Sequence, residues 1–332
     1  MSGDLLLRVE DLQIEFSTSA GVVRALGGVS FDIHAGETLA ILGESGSGKS
    51  VTAQAIMALL PKPAGSIVGG KILFEGRDLA AEAVESVRPL CATGIAMVFQ
   101  DPLSSLNPVF RIGWQLAEPF RRRLGMDKKQ AWARALDLLK RVGIRDAETR
   151  IRDYPHQFSG GQRQRIMIAM AIALGPKLLI ADEPTTALDV TVQAQIMKLL
   201  AQLQAETGMA MILISHDLGV VADVADRAAI MYAGRIVETG QIREVYDHSI
   251  HPYTKGLLDS IPSTTTIGER LRPIMGTPPN LLALPPGCAF HPRCPFALDE
   301  CHASTPPLRE IPGGEPGHAG ACLRGEEVLA HA

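Results

Sequence analysis

Three groups of residues in this 332-residue chain have types and spacing suited to chemistry. The first is Gly43-Glu44-Ser45-Gly46-Ser47-Gly48-Lys49-Ser50, a Gly-x-x-x-x-Gly-Lys-Ser sequence. Its glycines let backbone N–H groups close around a polyphosphate, Lys49 adds a point charge for the β- and γ-phosphates, and Ser50 offers a hydroxyl to magnesium. The second is Asp182-Glu183, at the end of the apolar run Leu178-Leu179-Ile180-Ala181. A buried strand ending in two acids delivers carboxylates to the edge where ligands of open α/β sheets collect. There Asp182 suits magnesium, and Glu183 suits the orientation or deprotonation of an attacking water; capping of the next helix is the other use for either acid. The third is Cys288, Cys294, Cys301 and Cys322, spaced Cys-x5-Cys-x6-Cys-x20-Cys in a proline-rich tail. Four thiolates there could hold a [4Fe-4S] cluster, a zinc ion, or nothing; the gaps are wider than the two to four residues usual between paired zinc ligands. Cys91, far upstream, reads as a plain thiol.

The elements around these residues must hold them in place. Glu37 to Leu42 is short and apolar enough for a buried strand, and Val51 to Leu60 has helical composition up to Pro61, so the glycine-rich loop lies between strand and helix. The new helix then points its positive dipole end at the same anion. Phe158-Ser159-Gly160-Gly161-Gln162-Arg163-Gln164-Arg165 opens a second helix, to Leu174; it is either another anion-binding helix start or an ordinary Ser-capped one. Leu6 to Phe16 alternates as a strand, and Val22 to Ile33 reads as two further strands separated by Gly27-Gly28. Gly69 to Phe74 and Gly94 to Phe99 follow as strands, the latter ending at Gln100-Asp101-Pro102. Ile112 to Val142 is helical, with Leu116, Phe120 and Leu124 on one face, then Ala135, Leu138, Leu139 and Val142; Trp114 and Trp132 read as packing. Met211 to Ser215 is a strand ending at His216, and Ala228 to Glu238, broken at Gly234, is a hairpin. Thirteen of the 22 prolines lie from Pro252 onward, which predicts an irregular extension held by something other than regular hydrogen-bond ladders.

Composition narrows the classes. Hydrophobic content of 46% suits a globular core, and a net charge of -4 supplies no basic field for nucleic acid. Arg121-Arg122-Arg123 reads as a solvated helix face. No apolar run reaches the ~18 residues of a membrane span, and Asp4 and Glu10 beside a short apolar run do not make a secretion signal, so the chain is expected inside the cell with reduced cysteines. No internal repeat is present.

In order, the loop at Lys49, Gln100, Ser159-Gly160-Gly161-Gln162, Asp182-Glu183, Thr185-Thr186-Ala187-Leu188-Asp189 and His216 resemble the ATP-binding cassette (ABC) family. Asp101 to Pro108 and His251 to Pro262 resemble its oligopeptide and dipeptide importer branch. The resemblance implies an α/β fold: an ABC-type P-loop nucleotide-binding domain over 1–250, with a RecA-like core, an antiparallel β subdomain and a helical subdomain at about 101–174, then an irregular C-terminal extension over 251–332. It implies ATP and Mg2+ as cofactors, with nucleotide contacts from Phe16, where the family usually has Tyr, and from Gly43, Glu44, Ser45, Gly46, Ser47, Gly48, Lys49, Ser50 and Val51. Ser159, Gly160, Gly161, Gln162 and Asp189 would serve the nucleotide of an opposite subunit, with Phe158 replacing the family's Leu. Glu183, His216 and Gln100 would be catalytic, and Ser50, Gln100 and Asp182 would hold magnesium. The tail Gly287 to Pro295 resembles that of peptide-importer ATPases holding a [4Fe-4S] cluster, which assigns one to Cys288, Cys294, Cys301 and Cys322. The implied partners are a second, homologous ATPase subunit, two membrane permease subunits and, indirectly, an extracytoplasmic substrate-binding protein, on the cytoplasmic face of the cell membrane. Peptides are the expected cargo, with nickel, opines or glutathione-like compounds as alternatives. A cassette ATPase acting on nucleic acid fits poorly, since only 110 residues separate Lys49 from Ser159 and the charge is acidic. A regulatory subunit binding ATP without turnover would lack Glu183 or His216, and both are present.

Overall fold

The structure, a computed structural model, describes residues 3–186, 188–260, 274–310 and 315–330. Ala187 of the Thr185–Asp189 motif and Ile261-Pro262 of the His251–Pro262 motif lie outside the described residues. The chain forms two compact units, Met1–Glu82 with Leu213–Ala332, and Ala83–Ile212. No helix among the described residues is long and apolar enough to cross a membrane.

The first unit begins with an antiparallel sheet in which Leu5–Thr18 pairs with Gly21–His34 on one side and Gly65–Phe74 on the other. Leu7, Val9, Leu12 and Ile14 are buried, so the two-residue alternation slips by one between Val9 and Leu12. Asp11 absorbs the extra residue at φ 45°, and both partner strands place a left-handed glycine beside it. A Cβ on Gly28 would stand 2.6 Å from the Asp11 carboxylate, and one on Gly70 would stand 2.3 Å from its carbonyl oxygen. Gly27-Gly28 therefore marks a bulge inside one 14-residue strand, where the sequence predicts a break between two.

In the same unit Thr38–Leu42 lies parallel to Arg227–Tyr232, every residue of the first strand buried, which is why Leu39 to Leu42 form an unbroken apolar run. Arg227–Tyr232 turns at Gly234 into Arg235–Gln241, the predicted hairpin. The prediction for the tail needs correction. Ala319–Gly320 pairs antiparallel with Glu238 and Thr239, Arg309–Glu310 pairs with Ala319–Gly320, and Ala321 N–H donates to the Val237 carbonyl at 2.7 Å. A short ladder thus fastens the extension, and beneath it Glu238 and His318 form a buried side-chain hydrogen bond at 2.9 Å, 0% and 4% exposed. Both Glu238 carboxylate oxygens also accept from the backbone, Oε1 from the Ile250 N–H and Oε2 from the His251 N–H.

In the second unit Ile95–Val98 pairs in parallel with Leu178–Asp182. Helices Ile112–Leu124, Lys128–Arg141, Gly160–Ile172 and Val190–Thr207 make up most of the rest. Leu116, Phe120, Ala135, Leu138, Leu139 and Val142 are buried as their spacing predicts. Leu124 is exposed, because the helix ends there with Gly125 at φ 64° and the last side chain passes beyond the core. Trp114 is also exposed, stacked on Phe110 with ring centroids 4.2 Å apart, so its ring is surface and not core packing.

Candidate functional site

In the first unit the glycine-rich loop joins strand Thr38–Leu42 to helix Lys49–Ile56. Two glycines are needed at this bend. Gly43 has φ 147° and a Cβ there would stand 2.2 Å from the Met231 carbonyl oxygen; Gly48 has φ 108° and a Cβ there would meet Leu26 at 2.6 Å. Gly48 is the N-cap of the helix and supplies no side-chain cap. The Lys49 ammonium folds back along the loop and donates to the carbonyls of Gly43 at 2.7 Å and Glu44 at 2.9 Å. The Ser47 hydroxyl is buried without a hydrogen-bond partner among the described residues, so a donor or acceptor is available inside the loop. A cationic side chain, an uncapped positive helix end and a tight glycine turn form an anion-binding cradle.

Phe16 is half-buried, on the sheet of the same unit, with its ring over the backbone of Gly65. His216 is exposed one residue beyond strand Ala210–Ser215, in a turn closed by the Ser215 hydroxyl, which accepts from the Asp217 N–H at 2.9 Å.

In the second unit Asp182 is the buried last residue of its strand, 5% exposed, and Glu183 follows with φ 46°, an uncommon conformation for a residue with a Cβ. Two donors converge on one Glu183 carboxylate oxygen: Gln100 Nε2 at 3.0 Å and Thr186 Oγ1 at 2.8 Å. The structure therefore brings Gln100 directly to Glu183, a contact that spacing alone does not reveal. The following helix takes Asp189 as its N-cap, accepting from Val192 N–H at 3.0 Å.

Ser159 caps helix Gly160–Ile172 through a reciprocal box: its hydroxyl accepts from Gln162 N–H, and Gln162 Oε1 accepts from Ser159 N–H at 3.1 Å. Ser159 and Gly160 are exposed. A Cβ at Gly161 would stand 2.6 Å from Val192, so this glycine is where the helix start meets Val192. Phe158 is buried with the Arg150 guanidinium 4.3 Å above its ring, which makes the Leu-to-Phe difference a matter of packing.

In the tail, Cys288, Cys294, Cys301 and Cys322 line one small cavity together with Phe290 and Phe296. Burial raises the thiol pKa of Cys294 and of Cys322 to about 11, with the neighbouring cysteines adding to the effect. None is in a disulfide. Among the described residues, however, no three His, Cys, Asp or Glu side chains converge on a point where a metal ion could sit. The expected [4Fe-4S] cluster gains no support from this geometry, although the four thiols are gathered.

Three features escaped sequence reasoning: the buried Glu238–His318 pair, the Tyr253 hydroxyl accepting from Glu44 N–H at 2.7 Å, and the two-pronged contact of Arg293 with the Glu44 carboxylate. Tyr253 and Arg293 both lie in tail motifs legible by resemblance, which assigned them no role.

Residues 26–186 match the family described as ABC transporter, and residues 237–301 match the family described as oligopeptide/dipeptide transporter, C-terminal region. The chain is 50% identical over 301 residues to the dipeptide transport ATP-binding protein DppD of Bacillus subtilis, covering 91% of this chain and 90% of that one. It is 49% identical over 326 residues to the oligopeptide transport ATP-binding protein OppD of Escherichia coli, covering 98% and 95%. Among solved structures, the dimeric post-hydrolysis state of the ATP-binding cassette MJ0796 bound to ADP and Pi superposes with a TM-score of 0.64 at 27% identity, over 72% of this chain and 99% of that one. CbiO1 of Clostridium perfringens, part of the ABC transporter complex cbiONQ, superposes with a TM-score of 0.63 at 32% identity, over 74% and 91%.

Proposed function

Since the chain belongs to the family of ABC transporter ATP-binding proteins, we propose that it hydrolyses ATP to power the import of dipeptides and oligopeptides. The observation that carries the hydrolytic reading is the Glu183 carboxylate, fixed by Gln100 and Thr186 directly after the buried Asp182. A carboxylate held by two donors at a strand end is pre-oriented to position a water and accept its proton. Lys49 and the glycine loop bind the phosphates, Phe16 offers a face to the adenine, and His216 serves the γ-phosphate. Ser50, Asp182 and Gln100 are the residues that would hold magnesium, which supplies charge neutralisation for the phosphates when bound. The DppD and OppD likeness over nearly the whole chain supports peptide as cargo.

The exposed Ser159-Gly160 helix start and Asp189 support a composite arrangement, in which they serve the nucleotide of a second, homologous ATPase subunit; the MJ0796 cassette is dimeric. Exposed Val109 and the stacked Phe110–Trp114 pair supply an apolar surface for a membrane permease subunit at the cytoplasmic face. A substrate-binding protein would deliver cargo on the far side. In this reading the four tail cysteines would hold a [4Fe-4S] cluster on the strength of the tail's resemblance to peptide-importer ATPases alone, since the thiols share a cavity without converging on one point.

Glu183→Gln tests the hydrolytic assignment: turnover of the assembled complex falls by roughly 10²-fold while ATP binding is retained. Wild-type turnover in that variant overturns it. For the tail, anaerobic preparation yields brown protein with about four iron atoms per chain, as the cluster type requires; colourless protein with one zinc, or with no metal, removes the cluster from the reading.

A further inference from the structure

Glu44, the second residue of the phosphate loop, is held from the C-terminal extension on two sides. Arg293 closes the short turn His291–Arg293, immediately before Cys294. Its guanidinium donates to both Glu44 carboxylate oxygens, Nη1 at 2.6 Å and Nη2 at 2.9 Å, in a parallel fork. The Arg293 side chain is 5% exposed; it lies 5.9 Å from the ring centroids of Tyr232 and Phe290, and its Nε donates to the Met275 carbonyl at 3.0 Å. Tyr253, fully buried against Tyr232 and Phe290, accepts from the Glu44 N–H. On its other side the Glu44 carbonyl receives Lys49 Nζ. A continuous path of contacts therefore runs from the turn before Cys294 through Arg293 and Glu44 to the loop lysine.

A carboxylate in a loop built for polyphosphate is a liability, since like charges at close range repel. A buried guanidinium forked onto that carboxylate cancels its charge and fixes its direction. We propose that Arg293 and Tyr253 are positioning residues for ATP binding: the extension neutralises Glu44 and holds the phosphate loop in its anion-accepting shape, so nucleotide affinity is set from the tail. This inference rests on the reading of the loop as the ATP site.

The test is a double-mutant cycle in the full-length chain, read by equilibrium binding of Mg2+-ATP and by the split of KM and kcat in the assembled complex. Arg293→Ala weakens ATP binding about five- to tenfold, raises KM in step and leaves kcat within about twofold. The loss shrinks as ionic strength rises, and Arg293→Lys restores part of it. In an E44Q background, adding R293A changes affinity by less than about twofold, because no carboxylate charge is left to neutralise. Equal losses in both backgrounds, or affinity unchanged by R293A in protein that melts as wild type, overturn the proposal. If R293A fails to fold, R293K against the same two backgrounds decides it by the same criterion, whereas Tyr253→Phe, which acts on the Glu44 backbone N–H, weakens ATP binding in both, and unchanged affinity in that variant overturns the role of Tyr253. Failure of the wild-type chain to bind ATP at all is a different result, and refutes the assignment of the loop itself.

Discussion

Two glycine-rich helix starts in this chain are built on opposite plans. Helix Lys49–Ile56 begins at a left-handed glycine with no side-chain cap, and in the loop just before it Ser47 has a buried hydroxyl without a partner among the described residues. Helix Gly160–Ile172 begins at Ser159 in an extended conformation and completes its own first turn by exchanging hydrogen bonds with Gln162. The first start takes no side-chain cap from its N-cap glycine, whereas the second caps itself and still presents its dipole to whatever docks on it. A ligand-completed turn binds in its own chain. A self-completed, exposed one is suited to a site finished by another chain.

Substitutions can break this contrast at either end. The largest effect belongs to Gly43→Ala, whose Cβ would meet the Met231 carbonyl, a backbone atom that cannot move aside alone. It costs about 3 kcal/mol or more in stability, measured by denaturant unfolding, and abolishes ATP binding with it. Lys49→Ala comes next: it strips the donor from the carbonyls of Gly43 and Glu44 and the charge from the cradle, lowering the isolated chain's ATP affinity by about 30-fold in calorimetry. Ser159→Ala costs only about 1 kcal/mol of stability and leaves ATP affinity of the isolated chain unchanged, while turnover of the assembled complex falls. A matching loss of affinity in the isolated chain would erase the distinction between the two starts. Smallest is Gln162→Ala, a few tenths of a kcal/mol in thermal unfolding, since Ser159 still accepts from the backbone N–H at position 162.

The elements that carry the chemistry were legible because their signals are local. Leu39 to Leu42 and Leu178 to Ala181 are apolar runs short enough to be strands only; the second ends directly at Asp182-Glu183, and the first at the glycine that opens the loop to Lys49. The Gly27-Gly28 break was misread because glycine pairs mark bulges as well as turns, and the deciding residue, Asp11, lies on a different strand. The tail was misread for a similar reason. Its prolines forbid long ladders but not the two-residue pairing of Ala319–Gly320 with Glu238 and Thr239. Contacts such as Arg293 with Glu44, 249 residues apart, leave no trace in periodicity or composition. Only the coordinates join those motifs.

The buried Glu238 sets an order on biosynthesis. Its partner His318 follows 80 residues later in the chain, so at a synthesis rate of about 5 to 20 residues per second roughly 4 to 16 s pass before the imidazole is made. Until then the hairpin carries a carboxylate that belongs in a buried position with one of its hydrogen-bond partners still unmade. A buried polar group short of a partner costs about 1 to 3 kcal/mol. The tail therefore seals over the hairpin only once His318 and the Ala319–Gly320 strand beside it have been made.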